Sequence, residues 1–234
     1  MKRVKVIGCE TISDELKKSA EIMGVEAEFV FLPHGLHKRP EEMRGEIQKE
    51  IDHSNTALII LGYGQCSNGV IGVKARNSPL VIPRTDDCIA LLLGSRQRYR
   101  EEFNAEPGTY YLTKGWIEHG DDPLKVHRRY LEKYDEQTML WVTRETYKHY
   151  TRIALINTGT YEIKDYRAYA REVAELCGVR LEEIPGSLAM FKELFGREWK
   201  KEDFIVLSPG EELTLKMFLQ EGEKLKRPGP GQFG

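Results

Sequence analysis

Short apolar runs that stop at glycine, cysteine or proline recur along the first half of this chain, with helix-like stretches between them. Val4-Lys5-Val6-Ile7-Gly8 stops at Cys9, Ala57 to Leu61 stops at Gly62-Tyr63-Gly64, and Leu80-Val81-Ile82-Pro83 leads into Arg84-Thr85-Asp86-Asp87-Cys88. An apolar run bounded by turn residues reads as a strand, and strands that alternate with helical periods read as a parallel α/β sheet. Ligands of an open parallel sheet bind outside the carboxyl ends of its strands. The chain places three of its four cysteines at that edge.

The elements follow from local signals. Ser13 or Asp14 caps a helix carrying Leu16, Ala20 and Met23, and Gly24 ends it. Glu26 to Leu32 alternates as a second strand, and Pro33 to His37 forms a loop. Pro40 and two glutamates open a helix that runs to about Asp52. Cys88 to about Phe103 reads as one helix, with Gly94-Ser95 as a costly interior pair that marks a break or a close approach. The second half repeats the plan: strands at Arg152 to Asn157, Arg180 to Ile184 and Phe204 to Leu207, with helices at Tyr166 to Cys177 and Ser187 to Phe195.

The fold expected is α/β, two Rossmann-like parallel-sheet halves with a cleft between them. Residues 1–103 form the N-terminal half with the cysteine site, 104–150 connect, 151–226 form the C-terminal half and 227–234 a loose Pro/Gly tail. A duplication would align Leu61-Gly62-Tyr63-Gly64 with Leu207-Ser208-Pro209-Gly210, Cys9 with Asn157, and Cys66 with the Glu211–Glu212 region; convergent α/β grammar explains the same matches.

Composition narrows the partners. A formal net charge of −2, with both signs well mixed, carries no footprint of nucleic-acid or membrane binding. Apolar runs fall far short of the ~20 residues needed to span a bilayer. The chain enters a strand at once without a signal-peptide core, so a cytoplasmic location with reduced thiols is expected. Four cysteines in 234 residues are too sparse for a disulfide scaffold, which leaves metal binding or catalysis. A small-molecule substrate is the expected partner, and self-association is left open.

Cys9, Cys66 and Cys88 would form an incomplete metal shell with one open position, as catalytic centres do. Any one of them alone also reads as a small buried hydrophobe, and Cys177, beside a helix-ending glycine, reads as core. Soft thiolates select nickel, zinc or an iron–sulfur cluster over magnesium or calcium. A helix start at Cys88 would lower its pKa, which Asp86 and Asp87 would oppose. His34 and His37 lie on the same edge as candidate ligands or bases, and Asp86 is a further proton carrier. Asp87 reads as a helix cap. Arg84 would clamp a substrate anion or simply neutralise Asp86, with Tyr63, Tyr110 and Lys114 lining the cleft.

Three segments carry a resemblance. Leu61 to Gly69, Pro83 to Ile89 with Leu92-Leu93-Gly94-Ser95, and Gly108 to Trp116 resemble the family of domain of unknown function sixteen thirty-eight, over roughly residues 4–210. Genes of that family often lie beside corrinoid-dependent methyltransferases, which implies an accessory role in methyl transfer or metal carriage. The resemblance also implies a nickel-dependent desulfidase acting on thiohydantoins, with Cys9, Cys66 and Cys88 as the ligands. Thr85 and Asp86 depart from the pair expected there, which bears on the role of Asp86.

Overall fold

The computed structural model describes residues 4–196 and 198–219; the tail expected at 227–234 lies outside them. The first sheet has five strands: β1 Val4–Cys9, β2 Ala27–Leu32, β3 Leu58–Gly62, β4 Leu80–Pro83 and β8 Phe204–Leu207. Their order is β2-β1-β3-β4-β8. The first four run parallel and β8 runs antiparallel to β4. The second sheet, β5-β6-β7, is parallel throughout and uses Thr109–Leu112, Arg152–Asn157 and Arg180–Pro185. Two parallel-rich α/β units, as expected of Rossmann-like halves, therefore make up the chain.

Helices α1 Ser13–Ile22, α2 Pro40–Asp52, α3 Cys88–Leu93 and α4 Arg96–Ala105 link the first four strands and lead to β5. Helices α5 Lys114–His119, α6 Pro123–Tyr130, α7 Glu136–Thr146 and α8 Lys164–Cys177 belong to the second half, and α9 Ala189–Leu194 precedes β8. Leu16 on α1 fixes the spacing of helix and sheet. Its Cδ1 lies 2.7 Å from where a Cβ would stand on Gly8 or Gly62, so both strands carry glycine at that level.

Three expectations need correction. The single helix from Cys88 is two: Gly94 is left-handed at φ +88°, and the Ser95 hydroxyl caps α4 by accepting from the Arg98 amide at 3.1 Å. The segment 104–150 is more than a connector, because it carries β5, whose Thr109–Leu112 pairs with β6. Phe204–Leu207 is not a strand of the second half. The chain turns back after β7, where the Ser187 amide donates to Leu92 O at 2.9 Å. It then packs α9 on α1 and β4 and lays β8 along the open edge of β4. An antiparallel edge strand is no counterpart of the interior parallel β3, so the alignment of Leu61-Gly62-Tyr63-Gly64 with Leu207-Ser208-Pro209-Gly210 does not describe equivalent positions.

Two apolar clusters follow this division. One surrounds the first sheet and includes Val6, Ile7, Leu61 and Phe191; the other surrounds the second and includes Leu112, Ile153, Leu155 and Val173. The loops after the strands of one sheet meet those of the other. Thr11 packs against Gly115, His34 against Trp116, Glu15 against Thr158, and Leu92 against Ser187. The carboxyl edges of both sheets thus face each other across one seam. No described helix is long and apolar enough to cross a membrane.

Candidate functional site

Cys9, Cys66 and Cys88 stand at or just past the ends of β1, β3 and β4, which are neighbours in the first sheet. All three are buried, at 3, 3 and 8% exposure. The Cys9 Sγ accepts a hydrogen bond from Thr11 Oγ1 at 3.1 Å. Cys66 opens a tight turn in which three consecutive L-residues are left-handed: φ is 45° at Cys66, 56° at Ser67 and 66° at Asn68. Such a run is costly and persists only where surrounding contacts hold it. Here the Gln65 amide donates to Thr85 O at 2.7 Å and the Cys66 amide to Asp86 O at 3.0 Å. Gly64 allows this docking, since a Cβ there would sit 2.6 Å from Thr85 Oγ1. Thr85 and Asp86 therefore support the Cys66 turn through their main-chain carbonyls.

Burial dominates the electrostatics. It pushes the Cys9 thiol up to about 11, and those of Cys66 and Cys88 well above the ordinary thiol value. The Asp87 charge adds to the shift at Cys66 and Cys88, and Cys9 raises both further. The helix start at Cys88 does not win against desolvation, contrary to the sequence expectation. In the absence of an ion these are protonated thiols in one neighbourhood. Among the described residues, no group of three or more His, Cys, Asp and Glu side chains is arranged to hold a metal ion.

Aromatic rings border the thiols. Tyr63 is buried, and its titration is affected, after burial itself, by Cys9 and Cys66. Its ring centroid is 6.1 Å from that of His37, which stacks on His34 at 5.1 Å; His34 meets Trp116 edge-on at 4.5 Å. Both histidines are buried in a short turn, His34–Lys38, rather than carried on a surface loop. The His34 main-chain amide donates to Glu10 Oε1 at 2.7 Å, whereas its Nε2 is buried without a hydrogen-bond partner among the described residues. Burial lowers the pKa of both rings, that of His37 to about 4, so both are neutral near pH 7.

The remaining candidates separate. Asp86 is exposed. Asp87 caps α3, accepting from the Ile89 amide at 2.8 Å and from Tyr99 OH at 3.3 Å, and burial raises its carboxyl to about 6. Arg84 is half-buried, with Nε lacking a hydrogen-bond partner among the described residues. Lys114 is committed to Asp14 at 2.7 Å and Glu118 at 2.8 Å. Tyr110 lies in the second core, where its hydroxyl accepts from Trp116 Nε1 at 3.1 Å. Cys177 is in the same core, as expected.

Sequence reasoning missed Thr11, Glu10 and Glu15. Thr11 stands two positions beyond Cys9, a spacing that offered a local clue. Glu15 reads in sequence only as an acid in the first turn of a helix, and no local signal separates it from Asp14.

These features define an α/β protein of two parallel-sheet units with a buried thiol edge at their seam. The family model "Protein of unknown function (DUF1638)" matches residues 31–195, and the chain belongs to that family. No curated protein and no solved structure matches it.

Proposed function

We propose that the chain is a metal-dependent enzyme whose centre draws on Cys9, Cys66 and Cys88 and acts on a small heterocycle, with desulfuration of a thiocarbonyl such as a thiohydantoin as the reaction. One observation carries this reading: three buried cysteines lie at or just past the ends of three adjacent parallel strands. The donors fit a soft ion in kind, with nickel favoured and zinc or an iron–sulfur cluster as alternatives. They are not pre-arranged, so loading requires loss of the thiol protons and local adjustment of the side chains.

A bound soft ion would attract the substrate sulfur as a Lewis acid. In the net reaction a water oxygen replaces the thiocarbonyl sulfur, which leaves as hydrogen sulfide. His34 and His37, neutral at pH 7, are suited to take a proton from that water. Arg84 offers an unsatisfied donor to a substrate carbonyl or anion. Asp86, at the exposed rim, is suited to pass protons to solvent. Tyr63 walls the thiols. Tyr110 and Lys114 act at a distance, by holding Trp116 and α5 in place.

The test is elemental analysis of anaerobically purified protein, with its visible spectrum and sulfide release from a thiohydantoin. About one ion or cluster per chain is expected, lost in Cys9→Ala, Cys66→Ala or Cys88→Ala and retained in Cys177→Ala. Folded protein that desulfurates without metal, or a triple variant that keeps its metal, overturns the reading. The second reading is a carrier of metal, or an accessory of corrinoid methyl transfer. It is favoured by the lack, among the described residues, of a pre-arranged ligand set, which suits loading and release. A carrier yields its ion quickly to a chelator and releases no sulfide.

A further inference from the structure

The thiols are buried in this structure, and α5 of the second half packs on Thr11, whose hydroxyl bonds Cys9. Cys9, Cys66 and Cys88 are at most 8% exposed, so a ligand reaches them only after the structure around them opens. The chain crosses between the halves twice, from α4 to β5 and from β7 to α9. Hinges are a few loop or element-terminal residues that absorb large backbone changes, and both crossings are connections of that kind.

Glycines bring the backbones together at this seam. A Cβ on Gly115 would stand 1.9 Å from the Thr11 carbonyl oxygen, and one on Gly186 would stand 2.9 Å from Leu92 O. Thr11 is the residue whose hydroxyl holds the Cys9 sulfur, so α5 presses on the backbone that positions a thiol. Among the polar contacts across the seam, which include Lys114–Asp14 and Lys38–Asp121, the buried side-chain one is at Glu15. This α1 carboxylate is 3% exposed, and Oε1 accepts from Thr158 Oγ1 at 2.7 Å and Thr160 Oγ1 at 2.9 Å, both from the loop after β6. The two hydroxyl oxygens lie 2.8 Å apart, and each spends its single hydrogen on the carboxylate.

A buried carboxylate is tolerated only while it is hydrogen-bonded. Glu15 obtains its hydroxyl partners from across the seam, and separating the halves returns it to water. Burial also holds its carboxyl above the ordinary carboxylate range.

We propose that the second half is a hinged lid over the cysteine edge, and that Glu15 with Thr158 and Thr160 is the latch that keeps it shut. The latch governs access whichever ligand the thiols take, so it stands or falls apart from the metal reading.

The experiment is the rate of thiol labelling by a small maleimide at fixed pH, assigned residue by residue by mass spectrometry. It uses the full chain after chelator treatment, so that a bound ion does not shield the sulfurs. Two variants are compared with wild type: the double substitution Thr158→Val with Thr160→Val, and Gly115→Ala. Removing two hydrogen bonds to a buried carboxylate is expected to speed labelling of Cys9, Cys66 and Cys88 by roughly tenfold or more. Cys177, in the second half's own core, is the internal reference and should keep its wild-type rate. Gly115→Ala should give the same selective pattern by forcing α5 off Thr11. Unchanged rates in the folded variants overturn the proposal, as does equal acceleration at all four cysteines, which reports general unfolding. If one variant does not fold, the other decides.

Discussion

Lowering the pH should destabilise the protein through His37 in a calculable way. In the unfolded chain the imidazole titrates at 6.5, and in the folded protein burial holds it down to about 4, with the neighbouring His34 as the second cause. A histidine whose folded pKa is depressed binds its proton more readily when unfolded. Its contribution is therefore neutral above 6.5, falls as the pH drops towards about 4, and levels off below that. Each pH unit in that window costs about 1.36 kcal/mol, so this one ring should remove about 2 kcal/mol by pH 5. His34 is shifted in the same direction and adds to the loss. Urea unfolding at pH 7 and pH 5, for wild type and for His37→Gln, isolates the effect from carboxylate titrations common to both. Wild type should lose about 2 kcal/mol more than the variant between the two conditions. Equal losses would mean that His37 is solvated, and with it would fall the argument that both rings are neutral acceptors beside the thiols.

Two further outcomes follow from packing and charge. Leu16→Ala should destabilise by about 2–5 kcal/mol in chemical denaturation, because this buried side chain fills the space over Gly8 and Gly62; Gly62→Ala should also destabilise, by driving a methyl into it. Arg152→Met should lose at least about 2 kcal/mol. The buried guanidinium donates to Thr109, Glu102 and Glu182, whereas Arg180→Met, on a side chain 54% exposed, should change stability far less. A ratio near one between those two arginines would refute the ranking by burial.

What the sequence disclosed and what it withheld divide along one physical line. The strand ends were legible because a β-strand announces itself locally. Val4 to Gly8 and Leu80 to Pro83 are short apolar runs with turn residues behind them, and parallel topology then carries Cys9, Cys66 and Cys88 to one edge. The helix break was half-legible: Gly94-Ser95 stood out as a costly pair, and it resolves into a left-handed cap followed by an N-cap. The return of β8 to the first sheet was hidden, since an edge strand and a second-half strand share the same apolar pattern, and only the open side of β4 decides between them. Titration was misjudged at Cys88 for a related reason, because a helix start is written in local sequence and desolvation is not. The seam is the extreme case. Glu15 and Thr158 are 143 residues apart in the chain, and each reads locally as an ordinary polar residue at the start of a helix or the end of a strand. Their meeting follows only from two sheets presenting their carboxyl edges to each other, which on the lid proposal is also what closes off the thiols. Access to the site and closure of the halves are therefore one structural property, and a change that loosens the seam should alter thiol reactivity before it alters the stability of either core.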